Sequence, residues 1–494
     1  MPKRHRQGRT AGPRGALLAA LIGFAPAAGV AADDPASDGP FDPRRPVAAE
    51  LQMSVRDGFT LAAVGDCILS RPLAQKRAHD AAFDAAVKIL RRADAAFGNL
   101  ETSILDLRKF GGYPNAGAED WGLTSLPAVA QDLATLGFDL LSRANNHALD
   151  WGVEGMRETG RWLDAAGLVH AGVGENRGLA RAPQYFESEL GRIALVSMAS
   201  SYAPSAAASP ALGSTAGRPG LNALRVKRFT IVPPATMRAL AAIERAMREA
   251  RGRRLEASAE LPTELALFGT EFRLGEGFAH RYEMDPRDLA EILKSIRLGK
   301  QHADLLVVSI HAHEAAFDED APGDFLPELA HRAIDAGADV FVTHGIHHLG
   351  PIEVYAGKPI FYGLANFFWS DIQEPLDPVL HEAHAERVAE AFPDPAAVTD
   401  ADLSALLNAS SFSDERTFQT IIAVSRFEAG RAVQIWLHPI DLGYGRRLTD
   451  SGVPRLASPA QALPILERLR EISAPYGTRI SIEKNLGVIR PGSR

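Results

Sequence analysis

From Thr60 onward, short apolar runs that end in a polar residue alternate with stretches whose apolar positions recur at helical spacing. Residues 60–65 lead into Asp66, and residues 95–98 lead into Asn99. Between them, Phe83, Ala86, Val87 and Leu90 mark one face of a helix over 81–93. The rhythm repeats with helices over 126–136, 153–166 and 326–336, and with strands over 138–142, 193–198, 305–310 and 340–343. Continuous apolar strands separated by amphipathic helices predict an α/β fold whose sheets are covered on both faces. In such sheets, binding sites form beyond the carboxyl ends of the strands.

Residues 203–300 interrupt this rhythm with a stretch rich in Ser, Ala, Pro and Gly, a basic segment over 218–228 and a helix over 237–251. The segment reads as an insertion that either covers the site or forms a bare surface excursion. Ala356-Gly357-Lys358 and Glu428-Ala429-Gly430 sit between β-rich runs and predict two hairpins, over 352–369 and 418–437. The main domain is therefore expected over 59–446 with its insertion at 203–300. Residues 447–494, with a helix over 460–472 and a strand over 479–482, read as part of the same domain.

At the N-terminus, Lys3, Arg4, Arg6, Arg9 and Arg14 precede an apolar run over 16–32 and then Asp33 and Asp34. This is the order of a secretory signal peptide over 1–32, with Val30-Ala31-Ala32 at the cleavage point. The run is broken by Gly23, Pro26 and Gly29 and is short for a membrane span, so cleavage is the expectation and an uncleaved anchor the alternative. The Pro-, Asp- and Ala-rich residues 33–58 read as a linker. An exported protein follows, placed in the periplasm, the cell envelope or outside the cell. The net charge of −8 offers no basic field for phosphate backbones and argues against nucleic acid as a partner. The single cysteine, Cys67, excludes both an internal disulfide and a thiolate-caged structural zinc; a small packed thiol is its expected role.

Five polar clusters follow apolar runs: Gly65-Asp66, Gly98-Asn99-Leu100-Glu101, Asn145-Asn146-His147, His311-Ala312-His313-Glu314 and His344-Gly345-Ile346-His347-His348. Any one of them alone reads as turn or helix-cap chemistry. Together, at one edge of a sheet, they offer carboxylates, imidazoles and amide oxygens. That mixture suits two divalent ions about 4 Å apart with positions left open for water.

The segments LAAVGDCILSRPL, AFGNLETSI, SRANNHALDWGVEGMRET, VVSIHAHE and VTHGIHHLGPIEVYAGKPIFYGLANFF, in that order, resemble the motif series of the CapA family of poly-γ-glutamate capsule synthesis proteins. That family is similar to the calcineurin-like metallophosphoesterases, and the resemblance spans roughly residues 59–370. It implies a metallophosphoesterase-like, two-sheet αββα sandwich holding two divalent ions (Mn, Fe, Zn or Mg). By the same resemblance, Asp66, Glu101, Asn146, His311, His344 and His347 are the metal ligands and His147 is the catalytic residue. Ile68 stands where those phosphoesterases place a histidine after the aspartate; His313, close beside His311 in sequence, is expected either to compensate or to take a surface or supporting role. Arg143, Asn145, His313 and Arg225 are expected to bind substrate, with a structural salt bridge as the alternative for Arg143, while Trp121, Trp151 and Tyr202 read as core or rim packing. Two functions stay open: a hydrolase of phosphoester or related anionic bonds, and a non-catalytic factor that binds an anionic polymer during capsule assembly. Membrane-bound polymer-synthesis proteins are the implied partners.

Overall fold

A computed structural model of the chain describes residues 51–115, 123–252, 260–316, 321–370, 378–411 and 414–492. The expected signal segment 1–32, most of the linker 33–58 and Trp121 lie outside the described residues.

In the first sheet, strand Thr60–Leu69 runs parallel to Ala95–Leu100, which pairs in turn with Leu140–Ser142 and then Val169–Ala171. The hairpin Gln419–Glu428 and Arg431–Asp441 joins antiparallel on the other side of Thr60–Leu69. In the second sheet, Gly191–Ala199, Leu305–His311, Val340–His344 and Lys358–Phe361 are parallel neighbours in that order. Gln184–Ser188 and Ile352–Tyr355 close its edges antiparallel.

Side-chain alternation along the strands creates the layers. Leu61 and Ala63 face inward and pack with Phe97 and Leu140 of their own sheet and with Leu195, Val307 and Val342 of the other. Ala62 and Val64 face outward onto Phe83, Val87, Leu133 and Leu163, which come from helices Ala81–Leu90, Ala128–Leu136 and Gly152–Ala165. On the far side, Val196, Leu306 and Val308 face out onto Ile292 and Ile296 of helix Pro286–Gln301, and onto Leu326 and Leu329 of helix Phe325–Asp335. The result is the expected αββα sandwich. Each such Leu, Ile or Val contributes roughly 1.5–3 kcal/mol by leaving water.

The excursion expected over 203–300 is shorter in the structure. Strands Val226–Val232, Glu264–Leu267, Thr270–Leu274 and Ala279–Met284 form a separate four-stranded sheet with helix Pro234–Ala250 against it. Helix Pro286–Gln301 belongs to the sandwich itself, because Leu289, Ile292 and Ile296 cover the second sheet. At the C-terminus, helix Pro459–Ser473 places Ala462, Ile465, Leu466 and Leu469 in the core between the sheets, and strand Leu486–Ile489 extends the first sheet. The last stretch of the linker is docked as well, with Val55 buried in that same core. Helices Pro378–Ala383, Ala385–Ala391 and Asp400–Ser411 do not stand out in the apolar pattern; a small cluster of Val388, Leu403 and Leu407 holds them.

Candidate metal centre

The parallel strands of both sheets end at one place. Asp66 pairs in register with Asn99 in the first sheet, and His311 with His344 in the second. Gly65 makes the first ending possible: a Cβ there would sit 1.8 Å from the carbonyl oxygen of Ala365. Without one, strand Asn366–Ser370 crosses closely and takes over the pairing of Thr60–Leu69 from Asp66 onward. Gly345, at φ +109, serves the second ending, since a Cβ there would lie 3.0 Å from His311 Nε2.

Asp66, Glu101, His311 and His344 are all fully buried. Asn99 is their hub: its Nδ2 donates to Asp66 Oδ1 at 2.8 Å and to Glu101 Oε2 at 3.4 Å, while its Oδ1 accepts from Asn145 Nδ2 at 3.1 Å. His311 Nδ1 lies 3.1 Å from His344 Nδ1, and His311 Nε2 lies 2.9 Å from His313 Nε2 and 3.5 Å from Glu101 Oε1. His347 Nδ1 stands 2.8 Å from Asn366 Oδ1 and 3.3 Å from Asp66 Oδ2. The amide of Gly345 donates to that same Asp66 oxygen at 3.1 Å. His347 adopts φ +55, a left-handed conformation that its two oxygen partners hold in place.

The family profile described as bacterial capsule synthesis protein PGA_cap matches residues 60–370, which include every residue of this cluster. The chain belongs to the PGA_cap family. Uncharacterized protein y4sH of Sinorhizobium fredii (strain NBRC 101917 / NGR234) is 41% identical over 464 residues, covering 92% of this chain and 97% of that protein. PGA biosynthesis protein CapA of Bacillus subtilis (strain 168) is 26% identical over 317 residues, 63% of each chain. Among solved structures, a hypothetical protein from Thermus thermophilus aligns with a TM-score of 0.35 and 14% identity, over 78% of this chain and 99% of that one.

The electrostatics of this PGA_cap cluster are compatible with a bound cation. Burial, and then the charge of Asp66, push the Glu101 carboxyl well above the usual carboxylate range. Burial works upward on Asp66 too, but the hydrogen bond and charge of His347, and then the charge of His344, hold it below its ordinary value. Burial drives His311 well below the ordinary imidazole value and His344 down to about 4, so both rings are neutral and have lone pairs to offer. Glu101 Oε1, His344 Nε2 and Asn146 Oδ1 are buried without a hydrogen-bond partner. Three overlapping donor sets bring ligand atoms within 4.8 Å of one another: Asp66, His311 and His344; Glu101, His311 and His313; and Asp66, Glu101 and His347. Orphaned buried acceptors and neutral imidazoles around two carboxylates fit divalent metal chemistry.

The other residues expected at this PGA_cap site have the following partners. His147 Nδ1 pairs with Asp150 Oδ2 at 2.8 Å, and Asp150 is fixed in turn by the amide of Leu123 at 3.0 Å. Arg143 is buried, and its guanidinium donates to the carbonyl of Met156 at 2.7 Å, which favours the structural alternative for it. Burial lowers its pKa to about 10, and the contact with Met156 ties it to helix Gly152–Ala165. Arg225 is paired with Asp288 at 2.6 Å and Asp285 at 3.3 Å. Asn145 spends its amide on Asn99 and on the carbonyl of Leu100. Cys67 points the other way from Asp66, into the outer apolar layer, as a packed thiol. Trp151 is buried against Phe110 in an edge-to-face contact. From the sequence Asn99 is only a member of a polar cluster, and Asp150 and Asn366 have no assigned role; the structure shows what each touches.

Proposed function

We propose that this PGA_cap protein is exported and uses divalent ions, two of Mn, Fe, Zn or Mg, to hydrolyse phosphoester or related anionic bonds during synthesis or export of a poly-γ-glutamate envelope polymer. The observation that carries the reading is the meeting of Asp66, Glu101, His311, His313, His344 and His347 at the joint carboxyl edge of both sheets. Relatives described as PGA and capsule biosynthesis proteins support the polymer setting. Among the described residues, no helix is long and apolar enough to cross a membrane.

Asp66, Glu101, His311, His344 and His347 would hold the ions, with His313 and the orphaned Oδ1 of Asn146 as further donors. Ions held there supply Lewis-acid stabilisation of charge on an anionic substrate. His147 acts as the proton donor or electrostatic partner. Asp150 holds its Nδ1 and so fixes the orientation of the ring.

The test is hydrolysis of generic phosphate mono- and diesters by the purified full chain. Turnover should fall by about 10²–10⁴-fold in His147→Ala with the metal content unchanged. Absence of turnover in metal-loaded wild type, with retained polyglutamate binding, would replace the hydrolase with an assembly factor.

A further inference from the structure

Beside the cluster, cations on the inserted sheet are mostly neutralised. Arg225 is paired with Asp285 and Asp288, Lys227 with Glu271, Arg273 with Glu264 and Glu283, and Arg281 with Asp324. Arg228 differs: among the described residues, no carboxylate stands within ion-pair distance of it. It lines a cavity of about 300 Å³ together with Ser201, Val226, Tyr282, His313 and Glu314.

That cavity has two constructed walls. Val226 and Arg228 share a face of their strand by alternation, and Tyr282 stands opposite Arg228 in the antiparallel register. The Tyr282 hydroxyl donates to the carbonyl of Ala315 at 2.8 Å, fastening the inserted sheet to the loop that follows His311. On the other wall, Glu314 Oε2 accepts from Ser200 Oγ at 2.7 Å and Ser201 Oγ at 2.9 Å. Ser201 Oγ also accepts from the amide of His313 at 2.8 Å. The Glu314 carboxylate is thus fixed in orientation, and among the described residues no cation forms an ion pair with it. Arg228 and Glu314 face one small cavity as separate charges of opposite sign.

A cavity at the lower end of ligand-pocket sizes, with one positive and one negative wall, complements an amino-acid zwitterion. A bare inorganic anion satisfies Arg228 but meets a like charge at Glu314, which disfavours it. We infer that this pocket takes the α-amino acid end of a glutamyl chain, its carboxylate on Arg228 and its ammonium on Glu314. His313 lines the pocket and also touches His311, so a chain seated there reaches the metal cluster. The identity of the polymer rests on the proposed function; the charge-separated pocket stands without it.

Calorimetric titration of the full chain with γ-glutamylglutamate, its N-acetylated form and inorganic phosphate tests the assignment. The free-amine dipeptide should bind about tenfold tighter than the acetylated one, as expected for one charge-assisted contact. Glu314→Gln should erase that difference, and Arg228→Ala should weaken both dipeptides about tenfold, with metal content as in wild type. Equal binding of both dipeptides, phosphate binding as tight as the dipeptide, or unchanged affinity in both variants would overturn it. Discrimination that persists in a protein without metal or turnover would sink the hydrolase and leave the pocket standing.

Discussion

Among single residues, the strand-end side chains Asp66, His311 and His344 are legible because each follows an apolar run, and parallel strands deliver such residues to one edge. Asn99 stands in the same motif as Glu101, yet the family resemblance assigns a metal role to Glu101 and none to Asn99. Its role as the hub follows from cross-strand register, which no single strand encodes. Arg143, close in sequence to Asn145 and His147, spends its guanidinium on the carbonyl of Met156, a partner that only the fold reveals. Its neighbour His170 offers a titration test. Burial, and then the Arg143 charge, lower His170 from 6.5 to about 4, so the folded state refuses a proton that the unfolded chain accepts. The stability this residue contributes is therefore complete above pH 6.5 and lost as pH falls toward about 4. The melting temperature of His170→Gln should decline less than that of wild type across that window; parallel curves would contradict it.

At the level of elements, the sandwich strands and their covering helices can be read from periodicity, whereas the helices over 378–411 cannot. Their apolar residues serve a small local cluster, and they leave no long stripe. The 203–300 segment reads as one excursion because its first half lacks the rhythm, but helix Pro286–Gln301 restores it with Leu289, Ile292 and Ile296. Gly65 is the element-scale device on which the site depends. Gly65→Ala would drive a methyl into the carbonyl of Ala365 and prise strand Asn366–Ser370 from Thr60–Leu69. A loss on the order of 3 kcal/mol is expected by denaturant unfolding, as for an overpacked core. An unchanged midpoint would mean that the close crossing is not required.

Across the whole molecule, the two sheets share one inner core, and the C-terminal segment completes it. Deleting residues 447–494 removes Ala462, Ile465, Leu466 and Leu469 from between the sheets, so the shortened chain should lose cooperative unfolding and aggregate. A soluble truncated protein with a sharp thermal transition would contradict that. The two sheets matter to function because each supplies part of the donor set, Asp66 and Glu101 from one, His311, His344 and His347 from the other. The most direct test is the metal content of the purified full chain, by mass spectrometry after equilibrium dialysis against Mn, Fe, Zn and Mg. Wild type should retain ~2 divalent ions per chain, and Asp66→Asn combined with His344→Ala should retain almost none. A folded wild type that binds no more metal than this double variant would contradict the account.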